Sequence, residues 1–331
     1  MPSEDLFIQD IYVDFAGFGN TQLSLSQSEH TERSPKDYAR PFQPPCNKSS
    51  MPLGFHNLSH ANHIIPDPLL TPHGESQCRD LSAEFPHHSQ IDLVVASPLR
   101  RTIYTALLAF EDQIKNKGLT IIALPEIQET SDVPCDVGSD LTVLQKEVDD
   151  NGLPVDLKLV GEDWNSKKEK WAPSAEAIAN RAREARRWLK ARPEKEIVIV
   201  THGGFLHYFT EDWEDSTLYQ GTGWRNTEYR TYTFAASVDQ DDLYGRPVDG
   251  DNASIIETRE SRTRRGRPAE APSRDLQKQF FVQAMTGWEN QILEFAKQEA
   301  AKKGPAGVDI EENAGEKVVI ADGAEDVRVI A

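Results

Sequence analysis

Two short apolar runs, Ile91-Asp92-Leu93-Val94-Val95-Ala96 and Ile197-Val198-Ile199-Val200, each stop abruptly at polar residues. The first runs into Ser97-Pro98-Leu99-Arg100-Arg101 and the second into Thr201-His202-Gly203-Gly204. Runs of β-branched residues this short, bounded by turn signals and followed by helical patterns, fit strands buried on both faces better than helices. Such strands call for a parallel sheet covered by helices, with their polar ends opening on the crevice at the carboxyl edge of the sheet. After the first run, Leu99, Ile103, Leu107 and Phe110 recur on one face of a predicted helix. Its first turn carries Arg100, Arg101 and the hydroxyl of Thr102. Before the second run, Ser174 can cap a helix in which Ile178, Ala182, Ala185, Trp188 and Leu189 keep a 3.6-residue period. Arg181, Arg183, Arg186 and Arg187 fall outside that stripe and read as a solvated face.

Composition bounds what such a sheet can serve. With 331 residues, 38% of them hydrophobic, the chain can bury one large α/β core or two small ones, and one domain is the favoured reading. A net charge of −18 disfavours nucleic acid, since phosphate repulsion must be overcome before any local contact helps. A small phosphoester can still bind locally. Cys46, Cys78 and Cys135 neither pair evenly nor show metal-ligand spacing, which fits a reducing compartment. The start carries Glu4 and Asp5 without an apolar h-region, and no stretch approaches a membrane span. The expectation is a soluble, cytoplasmic protein with neither nucleic acid nor membrane as partner.

Several segments in order sharpen this reading. Asn57-Leu58-Ser59-His60-Ala61-Asn62, Asp67-Pro68-Leu69-Leu70-Thr71-Pro72-His73-Gly74-Glu75-Ser76-Gln77-Cys78, Ser97 to Thr102, Glu126-Ile127-Gln128-Glu129-Thr130-Ser131-Asp132, Cys135 to Asp140, Thr201 to Gly204 and Gly221 to Arg230 follow one another. Together they resemble the histidine phosphatase superfamily in its fungal phosphoglycerate-mutase-like branch, from about Gly54 to about Trp288. The resemblance implies an α/β fold with three layers, a mainly parallel sheet with helices on both faces. It also implies metal-independent phosphomonoester hydrolysis through a phosphohistidine, with a small phosphorylated substrate and no cofactor. On that resemblance Arg101 clamps the phosphate, Asn57 and Gly203 support it, His202 is the second histidine, and Glu129 is the carboxyl that protonates the leaving alcohol and then activates water. His56 or His60 would touch ligand from a substrate loop. The residue types suit the chemistry, because a phosphoryl group in transfer spreads negative charge that guanidinium and imidazole donors can stabilise without a metal. Taken singly, an arginine at a helix start can bind a carboxylate, a histidine before Gly-Gly can cap a strand, and Glu129 can be a solvated loop carboxylate like Glu126.

The departure from the family lies upstream. Its first strand ends in Arg-His, and counting back from Gly54 puts Ser50 at the arginine and Met51 at the nucleophilic histidine. A thioether is no phosphoryl nucleophile, and serine supplies no cationic fork. Three accounts stay open: residues 1–53 derive from a wrongly predicted exon, or the chain is a pseudo-enzyme that keeps an anion pocket, or Leu6 to Phe15 fills the gap by pairing with the sheet edge. A non-catalytic phosphoester-binding protein and a mutase-type phosphotransferase are the alternative functions.

The remaining organisation follows from pattern. Residues 1–53 read as a poorly ordered segment, 54–300 as the domain, and 301–331 as an acidic mobile tail. The charged stretch 141–171, with Trp164 and Trp171, reads as an inserted helical cap beside the site. Gln277 to Ala301 has helical spacing. Arg259 to Arg267 reads as a solvated cationic loop, or as a pocket rim that attracts anionic substrate. His56, His60 and His63 lack the intervening glutamate of a zinc-hydrolase helix, so no metal site is assigned.

Overall fold

The computed structural model describes residues 5–10, 65–217, 224–236, 241–243, 245 and 247–286, with the backbone alone for 5–10. Seven strands form one sheet in the order β4-β3-β2-β5-β1-β6-β7. They are β1 Asp5–Asp10, β2 Leu93–Ala96, β3 Ile121–Ala123, β4 Val155–Asp156, β5 Glu196–Thr201, β6 Tyr229–Phe234 and β7 Ile255–Glu257. The first five in spatial order are parallel, while β6 runs antiparallel to both β1 and β7.

The alternation of side chains across β2 and β5 explains the layers, because successive residues must face opposite sides. Val94, Ala96, Val198 and Val200 pack with Leu81 of α1 (Pro72–Glu84), Ile103 and Ala106 of α2 (Arg100–Ala109), Ile114 of α3 (Glu111–Lys117) and Leu144 of α4 (Leu141–Asn151). Leu93, Val95, Ile197 and Ile199 pack on the other face. There they meet Ile178, Ala182, Ala185 and Leu189 of α5 (Ala175–Lys190), Phe205 and Phe209 of α6 (Gly203–Thr210), and Phe281 within residues 274–286, which are helical. The fold is therefore the three-layer α/β/α arrangement expected. Ser174 caps α5, its hydroxyl accepting from Ala177 N at 3.3 Å, as the sequence suggests. Both α3 and α4 end on glycines at positive φ, Gly118 at 64° and Gly152 at 58°, where an L side chain would be strained.

Four expectations are corrected. Residues 5–10, expected within a segment without regular structure, form a strand that pairs on both sides, with β5 and β6. Nor does this strand sit at the edge, because the slot between β5 and β6 offers backbone donors and acceptors on two sides and the backbone of Asp5–Asp10 answers both. The segment 141–171 is not a cap alone, since β4 extends the main sheet beside β3 and both tryptophans join the core. Arg259–Arg264 is a short helix, α7, rather than a loop, started by the Thr258 side chain accepting from Ser261 N at 3.2 Å.

Within α5, Arg181 and Arg186 are buried and not part of a solvated face. Arg181 spends its guanidinium on backbone carbonyls, and Arg186 divides its own between the carbonyls of Tyr208, Phe209 and Asn252 and the side chains of Glu211 and Asn252. No helix among the described residues is long and apolar enough to cross a membrane.

Candidate functional site

Because β2 and β5 are adjacent and parallel, the residues that follow them share one end of the sheet, with Ser97 N donating to Val200 O at 3.0 Å. Arg101, in the first turn of α2, is 4% exposed, and His202, between β5 and α6, is fully buried. Arg101 Nη2 lies 3.1 Å from His202 Nδ1, and His202 Nε2 lies 2.9 Å from Ser97 Oγ. A guanidinium can only donate, so Nδ1 must accept and the ring proton sits on Nε2, which donates to Ser97. Burial, reinforced by Arg101, holds the imidazole pKa well below the ordinary histidine value, so the ring is neutral at physiological pH. The rest of the Arg101 fork is taken up by Cys135 O at 2.6 Å and Asp136 Oδ1 at 3.0 Å.

Glu129 reaches the same place from the segment after β3. Its Oε1 accepts from Thr130 N at 2.8 Å, and a Cβ placed on Gly204 would stand 2.7 Å from that oxygen. The missing side chain at Gly204 thus admits the carboxylate to the first turn of α6, where helix N–H groups favour negative charge. The Glu129 backbone is held by Arg181, whose Nη1 donates to Glu126 O and Gln128 O at 2.7 and 2.6 Å and whose Nη2 donates to Glu129 O at 3.1 Å. Lys167 Nζ donates to the same carbonyl at 3.1 Å.

A fourth element is fixed by Asp67, buried and at φ 37°. Its carboxylate accepts from Arg100 N at 2.9 Å and from Ser139 N at 2.8 Å, tying the start of α2 to the loop that carries Asp136. Burial pushes the Asp67 carboxyl pKa up against these hydrogen bonds.

Of the residues singled out from sequence, the structure brings together Arg101, His202, Gly203 and Glu129. Asn57, His56, His60 and Met51 lie outside the described residues. The pocket-rim reading of Arg259 to Arg267 is corrected. Arg262 pairs with Glu214 at 2.9 Å, Arg265 with Glu257 and Asp215 at 2.6 and 2.9 Å, and Arg267 with Asp215, so these cations are answered within the protein. Asp136, Lys167, Arg181 and Asp67 are not among the site residues that the sequence points to. Asp67 and Asp136 belong to motifs visible in the sequence, but nothing local marks Lys167 or Arg181 as pointing toward this end of the sheet. Cys135 is no nucleophile here, because burial, then Asp136, pushes its thiol pKa up to about 12.

Comparison with known proteins adds a family. The model described as histidine phosphatase superfamily (branch 1) matches residues 56–238, more than half of the chain. A probable phosphatase of Schizosaccharomyces pombe is 29% identical over 159 residues, covering 46% of this chain and 69% of that protein. A phosphoglycerate mutase-like protein of Arabidopsis thaliana is 30% identical over 214 residues, 55% of this chain and 66% of that protein. Among solved structures, an ecdysone phosphate phosphatase from Bombix mori in complex with tungstate matches with a TM-score of 0.40 and 14% identity, over 82% of this chain and 94% of that one.

Proposed function

Because the chain belongs to the histidine phosphatase superfamily, we propose that it binds phosphomonoesters at the joint ends of β2 and β5 and that its reaction is metal-independent phosphoryl transfer to water. The observation that carries this reading is the Arg101–His202 contact at 3.1 Å beside Ser97, with the Glu129 carboxylate at the start of the next helix. A fixed cation, a neutral imidazole N–H donor and a carboxyl group are the parts such a transfer needs. The entering phosphoryl oxygens would replace Ser97 Oγ as acceptor of the His202 Nε2 proton and share Arg101 with Asp136. Glu129 would protonate the leaving alcohol and then activate water.

The nucleophile is the missing part. The sequence holds no histidine between residues 1 and 29 and no lysine or arginine between 1 and 32, so the strand beside β5 delivers neither. Met51 and Ser50, at the positions expected from the motif, are equally unsuited. Losing a covalent nucleophile costs several orders of magnitude in rate. Hydrolysis by this chain is accordingly slow, and the same cation-free strand favours, as the second reading, a phosphoester-binding protein without turnover.

The test measures p-nitrophenyl phosphate hydrolysis and vanadate binding for the chain, Arg101→Ala and His202→Ala. Vanadate binding that weakens in Arg101→Ala, with slow hydrolysis lost in His202→Ala, supports the first reading. Binding without hydrolysis selects the second. Replacing residues 1–53 with an apolar strand ending in Arg-His-Ala-Gln should then produce fast turnover and an acid-labile phosphoenzyme. Rapid hydrolysis unchanged in His202→Ala would overturn the site.

A further inference from the structure

Three cations stand around Glu129 and Asp136, and they differ in what they have left to give. Arg101 is committed to Cys135 O, Asp136 and His202. Arg181 is committed to the carbonyls of residues 126, 128 and 129, with its guanidinium 4.5 Å from the Phe205 ring centre. Lys167 has three N–H donors, and among the described residues the Glu129 carbonyl is its one hydrogen-bond acceptor. We infer that Lys167 is an anion-binding side chain of this site, supplied by the segment after β4 and contacting the phosphoryl oxygens of the bound ester. The inference rests on the phosphomonoester reading and names a recognition residue for it.

The backbone that delivers Lys167 is held against its own preference. Residue 167 has φ 54° and Glu169 has φ 51°, a region that non-glycine residues enter at a cost and that persists only when the surroundings enforce it. Those surroundings are the same loops that carry Glu129 and Asp136. Trp164, fully buried, donates from Nε1 to Ser139 O at 3.2 Å, and its carbonyl accepts from Gln128 Nε2 at 2.6 Å. Asn165 Nδ2 donates to Gly138 O at 2.9 Å and to Asp140 Oδ1 at 3.0 Å. A conformation this firmly docked orients the lysine toward the site rather than leaving it to solvent.

The electrostatics agree. The residue as a whole is only partly covered, its ammonium feels the charges of Arg181, Asp136, Glu129 and Arg101, and among the described residues it makes no ion pair. Burial, then Arg181, brings its pKa down to about 7 while Asp136 and Glu129 oppose the change. A dianion would supply the counter-charge that is lacking and draw a proton onto the amine.

The probe is sulfate, which stays dianionic through the useful pH range, and the measurement is calorimetric binding to the full chain, Lys167→Met, Lys167→Arg and Arg101→Ala. The parent should bind about tenfold more tightly at about pH 6 than at about pH 8.5, following protonation of Lys167. Burial, then Arg101, holds the His202 pKa well below the ordinary histidine value, and any pH dependence that it contributes with the anion bound is what Lys167→Met would retain. Lys167→Met should lose both affinity and pH dependence, and Lys167→Arg should keep the affinity without the pH dependence, a rescue that a merely structural lysine would not show. Equal affinity and pH dependence in parent and Lys167→Met, with Arg101→Ala weakened, would overturn this inference and leave the phosphoester reading standing. Absence of sulfate binding in the parent would overturn both.

Discussion

Replacing Asp136 by asparagine tests the charge balance at the centre of the site. Asp136 is 1% exposed and Arg101 4%, so neither charge reaches bulk water. Oδ1 takes the 3.0 Å hydrogen bond from Arg101, and Oδ2 takes a 2.5 Å hydrogen bond from Ser131 Oγ. Asparagine keeps the shape and one acceptor but leaves a buried guanidinium without its counter-charge. Breaking a buried pair on one side costs about 3–5 kcal/mol. Because Cys135 O and the asparagine carbonyl still accept, the expected loss is at the lower end, about 2–3 kcal/mol, the worth of a charged hydrogen bond. In a domain of this size that lowers Tm by about 5–10 °C. Urea denaturation should show a lower midpoint with an unchanged slope, and added salt should not remove the effect, since screening acts weakly on buried charges. Arg101→Met alone should also destabilise, while the double variant should lose less than the sum of the two, because no lone charge remains. Anion affinity should move the other way: Asp136→Asn frees Arg101 and should bind vanadate more tightly than the parent. A stability loss below about 0.5 kcal/mol, or strict additivity in the double variant, would refute the pairing argument.

Further outcomes follow from neighbouring contacts. Gly138→Ala places a methyl group inside the Trp164 ring, so it should be among the most destabilising single substitutions here, by about 3 kcal/mol or more in a urea titration. His202 and His207 are both buried with folded pKa values below the ordinary one. As pH falls below about 6.5 the unfolded chain takes up protons that the folded chain refuses, so stability should drop, and less steeply in His202→Gln. Lys167 has a folded pKa of about 7 against an ordinary 10.5. Its penalty is complete below about 7 and is relieved as pH rises toward about 10.5, so Lys167→Met should melt above the parent near pH 6.5, with the gap closing by about pH 10. A gap independent of pH would show that the ammonium is not desolvated.

The parts of the fold carried by local pattern were legible. Val94-Val95-Ala96 and Ile197 to Val200 announce buried strands by themselves, and Ser174 announces a helix start, because these signals depend on neighbours in sequence. The placement of Arg101, Glu129 and His202 at one end of the sheet was legible because they end or follow such elements. What escaped depended on distant neighbours. Arg181 lies outside the apolar stripe of α5, yet its guanidinium is buried because carbonyls of residues 126, 128 and 129 need donors. The arginines after residue 259 looked available until Glu214, Asp215 and Glu257 answered them. Lys167 sits in a charged run like any solvated stretch, and only the docking of Trp164 and Asn165 turns it inward.

The N-terminal strand shows how the needs of the fold separate from those of the chemistry. Between β5 and β6 the sheet requires a backbone with free donors and acceptors on both sides, and β1 satisfies it in register, from Asp5 opposite Glu196 to Asp10 opposite Thr201. Backbone pairing does not ask what the strand delivers at its carboxyl end. Phosphoryl transfer does, because charge developing on phosphorus must meet cations and a nucleophile at that end. A strand that closes the sheet but carries acids and no cation leaves Arg101, among the described residues, to Cys135 O, Asp136 and His202. The guanidinium is then answered by protein acceptors, while burial and Arg101 keep the imidazole neutral. The closed, self-neutralised arrangement at Arg101 is what this combination of strand ends dictates. On the phosphoester reading, an anion that enters competes with Asp136 for Arg101, so its affinity would be set by that competition and by the donors of Lys167.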